Sequence, residues 1–222
     1  MSIENKISKN NYGWWWPVDD GQGLPGRSCW EYMQKYPLVP TQISEHVENK
    51  NVVVQAGGNC GFYVKQYAKL FKQVYTFEPD PINFFALVLN VPESNVHKFQ
   101  SCLGDEHKLV SLKNDLPDIG ANYVSGSGEI PTLRIDDLAL TDCNLIHLDV
   151  EGFELPVLKG AINTIEKFKP IIAFEWFAPW GARFGTTAEI MDDFLKSIGY
   201  EYKLTVSGDR LYAWTEKTDE SL

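Results

Sequence analysis

Three acidic residues stand where a strand would end. Glu78 follows Val74-Tyr75-Thr76-Phe77, and Asp149 and Glu151 close Leu145-Ile146-His147-Leu148. A carboxylate at such a tip can accept hydrogen bonds from the two vicinal hydroxyls of a ribose. A pair of carboxylates near a hydroxyl nucleophile can instead take its proton or hold it in place. A third kind of group lies upstream. Gln55-Ala56-Gly57-Gly58-Asn59-Cys60-Gly61 is a glycine-rich turn that lets a ligand approach main-chain N–H groups closely.

The surrounding elements explain how these groups would meet. Val52-Val53-Val54 is a short β-branched run closed by the glycine turn, the pattern of a buried parallel strand. After Gly61 the period changes. Val64, Tyr67, Ala68 and Phe71 fall at i, i+3, i+4 and i+7, one face of a helix. The strand ending at Glu78 follows, 17 residues after Gly61, near the ~20 expected of a nucleoside-binding βαβ unit. The spacing therefore points to a ligand that carries a ribose. Ala56-x-Gly58-x-x-Gly61 nearly fits the dinucleotide fingerprint. At this point a nicotinamide cofactor and S-adenosylmethionine both remain open.

Downstream, Asp80-Pro81 opens a helix running to Asn90, and Val96–Leu103 reads as a third strand. Residues 105–130 read as an inserted hairpin with a mobile Ser125–Gly128 loop, and Ile130–Leu140 leads into a short helix. Leu145–Val150 is the fourth strand. One helix carries Leu155, Leu158, Ile162, Ile165 and Phe168, and Ile171–Phe174 is a fifth strand ending at Glu175. An aromatic loop spans Phe177–Gly185. Thr186 and Glu189 form a capping box for the next helix. Tyr200–Val206 and Arg210–Thr215 form a closing hairpin. Alternating strands and helices followed by a hairpin give an α/β fold with a mostly parallel central sheet and a C-terminal antiparallel hairpin. That ending belongs to the Rossmann-like methyltransferase fold and tips the ligand toward S-adenosylmethionine.

Composition narrows the function classes. The chain has 222 residues, enough for one domain: an N-terminal arm over 1–45 and a Rossmann-like core over 50–216. Its net charge of −10 argues against nucleic acid as a partner, and no apolar run is long enough to span a bilayer. The start, MSIENKISKNNYG, lacks the apolar core of a signal peptide. Cys29, Cys60, Cys102 and Cys143 are scattered, which suits free thiols in a reducing, cytoplasmic setting. Within the arm, short helices are expected near Ser28–Tyr36 and Gln42–Glu48, with Pro25, Pro37 and Pro40 breaking the rest.

VVVQAGGNCGFYV, VYTFEPDPINFFAL, IPTLRIDDL and NLIHLDVEGFELPVLKGA, with IIAFE after it, occur in that order. Together these blocks, over about 52–176, resemble the FkbM family of S-adenosylmethionine-dependent methyltransferases. The resemblance implies the class I methyltransferase fold and O-methylation of a hydroxyl on a sugar, glycan or other small metabolite. It also implies a cofactor loop at Gln55, Ala56, Gly57, Gly58, Asn59 and Gly61, a ribose acid at Glu78 followed by Pro79, and an adenine edge near Ser101, Cys102 and Leu103. The family usually has an acid where Gln55 stands, to hold the cofactor's ammonium, and often a Lys where His147 stands. An acid restored at Gln55 is expected to tighten cofactor binding if that site meets the ammonium.

Asp149 and Glu151 are the expected catalytic pair, as base or acceptor positioner. Capping the next helix or holding the ammonium are their other readings. His147, mid-strand, reads as a satisfied core histidine, and Glu154 as a first-turn helix acid. Asp149, Glu151 and Glu175 suit a divalent ion chemically, but nothing in their spacing demands one, so no metal is expected. The alternatives are a nucleoside-binding module without turnover, kept open by Gln55, and a nicotinamide-dependent oxidoreductase. Trp14, Trp15 and Trp16, with Asp19 and Asp20, are expected to fold over the carboxyl edge of the sheet as a lid on the acceptor.

Overall fold

The structure is a computed structural model that describes residues 3–23 and 28–216; Pro25 lies outside them. An arm hairpin of β1 (Ile7–Lys9) and β2 (Trp15–Pro17) comes first, then α1 (Cys29–Lys35) and α2 (Val39–Ser44). The core alternates as β3 (Val52–Ala56), α3 (Phe62–Leu70), β4 (Gln73–Phe77), α4 (Pro81–Asn90) and β5 (Val96–Phe99). An inserted sheet follows, built from β6 (Cys102–Leu103), β7 (Leu109–Lys113) and β8 (Tyr123–Leu133). The chain returns through β9 (Leu145–Leu148), α5 (Glu154–Lys159), α6 (Ile162–Phe168) and β10 (Ile171–Glu175). It closes with α7 (Ala178–Ala182), α8 (Ala188–Ser197), β11 (Tyr200–Val206) and β12 (Asp209–Trp214).

The seven-stranded sheet has the order β11-β12-β10-β9-β3-β4-β5. The five inner strands from β10 to β5 pair in parallel, and β12 runs antiparallel to both β10 and β11. Strand order reverses between β3 and β9, the place where open α/β sheets bind their ligands. Both faces of the central strands are covered, so β3, β9 and β10 are buried along most of their length rather than alternating, with Gln55 and His147 as buried polar residues. Val53 and Leu145 pack with α1–α4 on one face, while Val52, Val54, Ile146 and Leu148 pack with α5, α6 and α8 on the other.

Several sequence expectations are corrected. The strand expected over Val96–Leu103 is two strands. It bends at Gln100 and Ser101, and Cys102–Leu103 leaves the main sheet to pair with Thr132–Leu133 of β8. Ser125–Gly128 is not a loop but part of β8. The register shifts opposite Val110, which partners both Ile130 and Ser127, so the Ser-Gly repeat is absorbed as a bulge. The hairpin's turn lies instead at 114–122. The single helix expected after β9 is broken at Gly160. The Gly160 carbonyl accepts from the Asp136 N–H, and the Asp136 carboxylate caps the new start through Asn163 N and Thr164 N. The cap of α8 is Thr187, which accepts from Ile190 N, and Thr186 instead precedes the helix and donates its N–H to the Gly181 carbonyl. The aromatic loop expected over Phe177–Gly185 contains α7.

The tryptophans pack on the helical face rather than on the cleft. Trp14 stacks obliquely on Phe62 of α3, and Trp16 is buried edge-on to Trp30. One side chain ties the arm down. Asn90, at the end of α4, accepts from Trp15 N at 2.8 Å and donates to the carbonyls of Trp15 and Cys60. Asn90→Ala should cost ~2–3 kcal/mol, since three buried hydrogen bonds go and their partners stay behind. Urea unfolding checks this. An unchanged midpoint would mean that ring packing alone holds the arm.

Candidate active site

The register of four strands builds the site. Leu148 of β9 pairs with Ala56 of β3 and Phe174 of β10, and Ala56 pairs with Phe77 of β4. The next residue on each strand therefore emerges at one level: Gly57, Glu78, Asp149 and Glu175. Gly57 must be glycine. Its φ is +83°, and a Cβ there would sit 1.9 Å from the Asp149 carbonyl oxygen. Gly61 opens α3 at φ +91°, where a Cβ would meet Val91 at 2.5 Å, so it lets α3 pack close to α4.

These tips floor an open cleft. Of the residues singled out from sequence, Ala56, Gly57, Asn59, Glu78, Pro79, Ser101, Cys102, Leu103, Asp149 and Glu151 line it. Gln55, Gly58 and Gly61 do not. Trp180 of α7, in the aromatic loop, lines it too, while other walls were not legible beforehand: Cys29, Tyr32 and Met33 from α1, Leu116 and 118–122 from the hairpin turn, and Phe153.

Glu78 is buried, with Oε2 accepting from Asn59 N at 2.7 Å and Oε1 from Asp80 N at 2.8 Å. Each oxygen keeps a lone pair for a ligand hydroxyl. Burial nevertheless outweighs both N–H groups and pushes its carboxyl up to about 8. Nearby, Ser101 Oγ is buried without a partner, a polar atom waiting for one. Across the cleft, Asp149, Glu151 and Glu175 each bring an oxygen within 4.8 Å of the others. Burial and the neighbouring acids hold Asp149 well above the usual carboxylate range, raise Glu175, and push Glu151 up to about 9. Tyr32 donates to Glu175 Oε1 at 3.2 Å.

A family model described as Methyltransferase FkbM domain matches residues 51–202, well over half of the chain. The chain belongs to the FkbM methyltransferase family. Its cofactor is S-adenosylmethionine, and the fold is the Rossmann-like class I methyltransferase fold. Among solved structures, an FkbM methyltransferase from Methylobacillus flagellatus KT is 22% identical, with a TM-score of 0.52. The match covers 75% of this chain and 44% of that one, so the chain spans under half the length of that relative. A fibrillarin/Nop5p complex is similar in fold at 15% identity and a TM-score of 0.50, with 81% of each chain covered. No curated protein matches the chain. Among the described residues no helix is long and apolar enough to cross a membrane, and all four cysteines are free and buried.

The cleft of this FkbM-family chain suits the cofactor at the Glu78 end, where a buried two-oxygen acceptor and the orphaned Ser101 hydroxyl face the space. Gln55 is turned away from it. Its Nε2 donates to the carbonyls of Ala56 and Gly57, and its Oε1 accepts from Thr76 Oγ1. His147 is a core histidine, between the Tyr67 hydroxyl at 2.8 Å and Asp209 at 3.2 Å. Asp20 does not line the cleft. Its carboxylate takes the Trp16 indole N–H and the N–H groups of Cys29 and Trp30, which fixes the start of α1.

Two outcomes follow from this geometry. Gln55→Glu should not tighten cofactor binding. It places a carboxylate oxygen against two carbonyls and should destabilise the fold by about 3 kcal/mol in chemical denaturation; tighter binding of the cofactor product would reverse that view. The second concerns pH. Glu78, Glu151, Asp149, Glu175 and Glu154 (pushed up to about 7) all hold protons more tightly folded than unfolded. Their stabilising contribution is complete below the unfolded carboxylate range near 4.5 and is lost as pH rises through about 7–9. The melting temperature of the cofactor-free protein should fall across that window, and Glu78→Gln should flatten the slope. A midpoint that rises from pH 5 to 8 would contradict the assignment.

Proposed function

We infer that this methyltransferase methylates a hydroxyl oxygen of a sugar-like small molecule or glycan, with Asp149 or Glu151 receiving the proton. The observation that carries the reading is the gathering of Asp149, Glu151 and Glu175 beside Gly57, in the same cleft as Glu78. When bound, S-adenosylmethionine supplies an electrophilic methyl group on a sulfonium. Glu78 would hold its ribose hydroxyls and Ser101–Leu103 would border its adenine, leaving the acids of β9 and β10 at the reacting end. The acceptor oxygen forms the new C–O bond as the C–S bond breaks and its electron pair stays on sulfur. The hydroxyl proton passes to a carboxylate.

A carboxyl held near 9 in the empty cleft is a strong base once ionised, and a cation beside it lowers that value toward neutral pH. Tyr32, Met33, Trp180 and Ile119 supply apolar and aromatic walls, and the acids supply polar ones. This mixture suits the C–H faces and hydroxyls of a sugar. The chain's net charge of −10 favours such an acceptor over nucleic acid.

Calorimetry with S-adenosylhomocysteine tests the cofactor side. Glu78→Ala should weaken binding by ~1.5–3 kcal/mol, the range for a hydrogen bond to a charged group. Tight binding of NAD with no response to S-adenosyl compounds would overturn the reading. On the acceptor side, radiolabelled methyl transfer to a panel of glycans and glycosides should fall ~10²–10⁴-fold in Glu151→Gln or Asp149→Asn, with cofactor affinity retained. Loss of cofactor affinity instead would assign the altered acid to the ammonium.

A further inference from the structure

The cleft gathers acidic groups without a basic counterpart. Glu78, Asp118, Asp149, Glu151 and Glu175 line it, and among the described residues no Lys or Arg does. Three of these acids converge, with one oxygen of each inside a 4.8 Å span. A single ion bound at about 2.0–2.6 Å sets its oxygen ligands at separations within that span.

A second observation distinguishes Glu151 from an ordinary crowded acid. Its side chain is only 7% exposed, and Oε2 is buried with no hydrogen-bond partner. Neither Asp149 nor Glu175 has a buried oxygen left without a partner, and Glu175 accepts from Tyr32. Arg183 acts on Glu151 only through its charge, with no hydrogen bond or ion pair to it, so this buried oxygen beside two further acids lacks a close positive partner. The donor set is all carboxylate, with no His or Cys in it, which fits Mg²⁺, Mn²⁺ or Ca²⁺ better than zinc. The sequence expectation of no metal reflected spacing alone. Only the pairing of β9 with β10 brings Glu175 to Asp149.

We propose that Asp149, Glu151 and Glu175 bind one divalent, oxygen-seeking cation, which takes an acceptor hydroxyl oxygen as a further ligand. The second clause rests on the transfer reading above; the binding of the cation does not. An ion there would orient the acceptor and favour its ionised form, sharing the work of a base. The competing occupant of the three acids is the ammonium of the cofactor's amino-acid end.

The test uses the full chain, stripped with EDTA and free of cofactor. Calorimetry and thermal melting are run with MgCl₂, MnCl₂ and CaCl₂ against NaCl at matched ionic strength. Saturable one-to-one binding with a raised melting temperature is expected. Glu151→Gln and Glu175→Gln should weaken it at least ~tenfold by removing a charged ligand, while Glu189→Gln on exposed α8 should not. Both cleft variants relieve repulsion between acids, and circular dichroism checks that they fold. No saturable binding at millimolar metal, or equal binding in the variants, overturns the proposal. Displacement of the metal by S-adenosylhomocysteine overturns it too, since the acids then serve the ammonium. Binding of S-adenosylhomocysteine to a chain that takes no cation sinks the metal site and leaves the transfer reading standing.

Discussion

Crowding of carboxylates at adjacent strand tips is the constraint on which the rest of this structure depends. Parallel pairing in fixed register brings Asp149 and Glu175 out at the same height, and the turn after Asp149 adds Glu151. Glu151 adopts φ +58°, a left-handed conformation that a non-glycine residue takes at a cost of order 1–3 kcal/mol. Like charges within a few ångströms in a partly dry cleft repel strongly, and here they respond by holding protons. An arrangement that opposes folding on so many counts makes sense if a cation is to be received there. Both the sulfonium cofactor and a divalent ion meet that description.

The scaffold supplies the stability that the tips give up. The central strands β3, β9 and β10 are buried along most of their length and covered by helices on both faces. Just behind the tips lies a polar layer that is fully paired: Gln55 with Thr76, and Tyr67 with His147 and Asp209. This layer separates the strained edge from the core without leaving a buried group unsatisfied. Glu151 and Ser101 contrast with this layer, since each has an orphaned oxygen and lines the cleft.

The parts of the fold legible in the sequence were those set by local chemistry. The glycine turn, the Asp80 cap of α4 and the closing hairpin each follow from residues within a few positions of one another. Boundaries that depend on distant partners were not. Cys102–Leu103 left its strand for β8, the helix after β9 broke because Asp136 caps a second start, and Ser125–Gly128 found a partner in β7. The site divides in the same way. Glu78 and Asp149 could be placed because strand tips are local features. Glu175 was visible as an acid, but its meeting with Glu151 depends on the register of β9 against β10. Gln55 was misdirected because position in a motif does not say which way a side chain turns.

The wall built by α1 poses the clearest problem of inheritance. Cys29, Tyr32 and Met33 line the cleft from α1, ahead of the 51–202 segment that matches the family. What holds α1 there is the arm. Asp20 clamps the first turn of α1 and the Trp16 indole, and also accepts from Ile119 N in the hairpin turn. The N–H of Gly21 donates to Pro117, so the arm and the turn are joined twice. The tryptophans therefore need not touch a ligand to matter. By fixing the arm on α3 and α4, they set where Tyr32 meets Glu175 and where 118–122 closes over the cleft. The acids of β9 and β10 lie within the family segment, but the α1 wall that faces them through Tyr32 lies ahead of it.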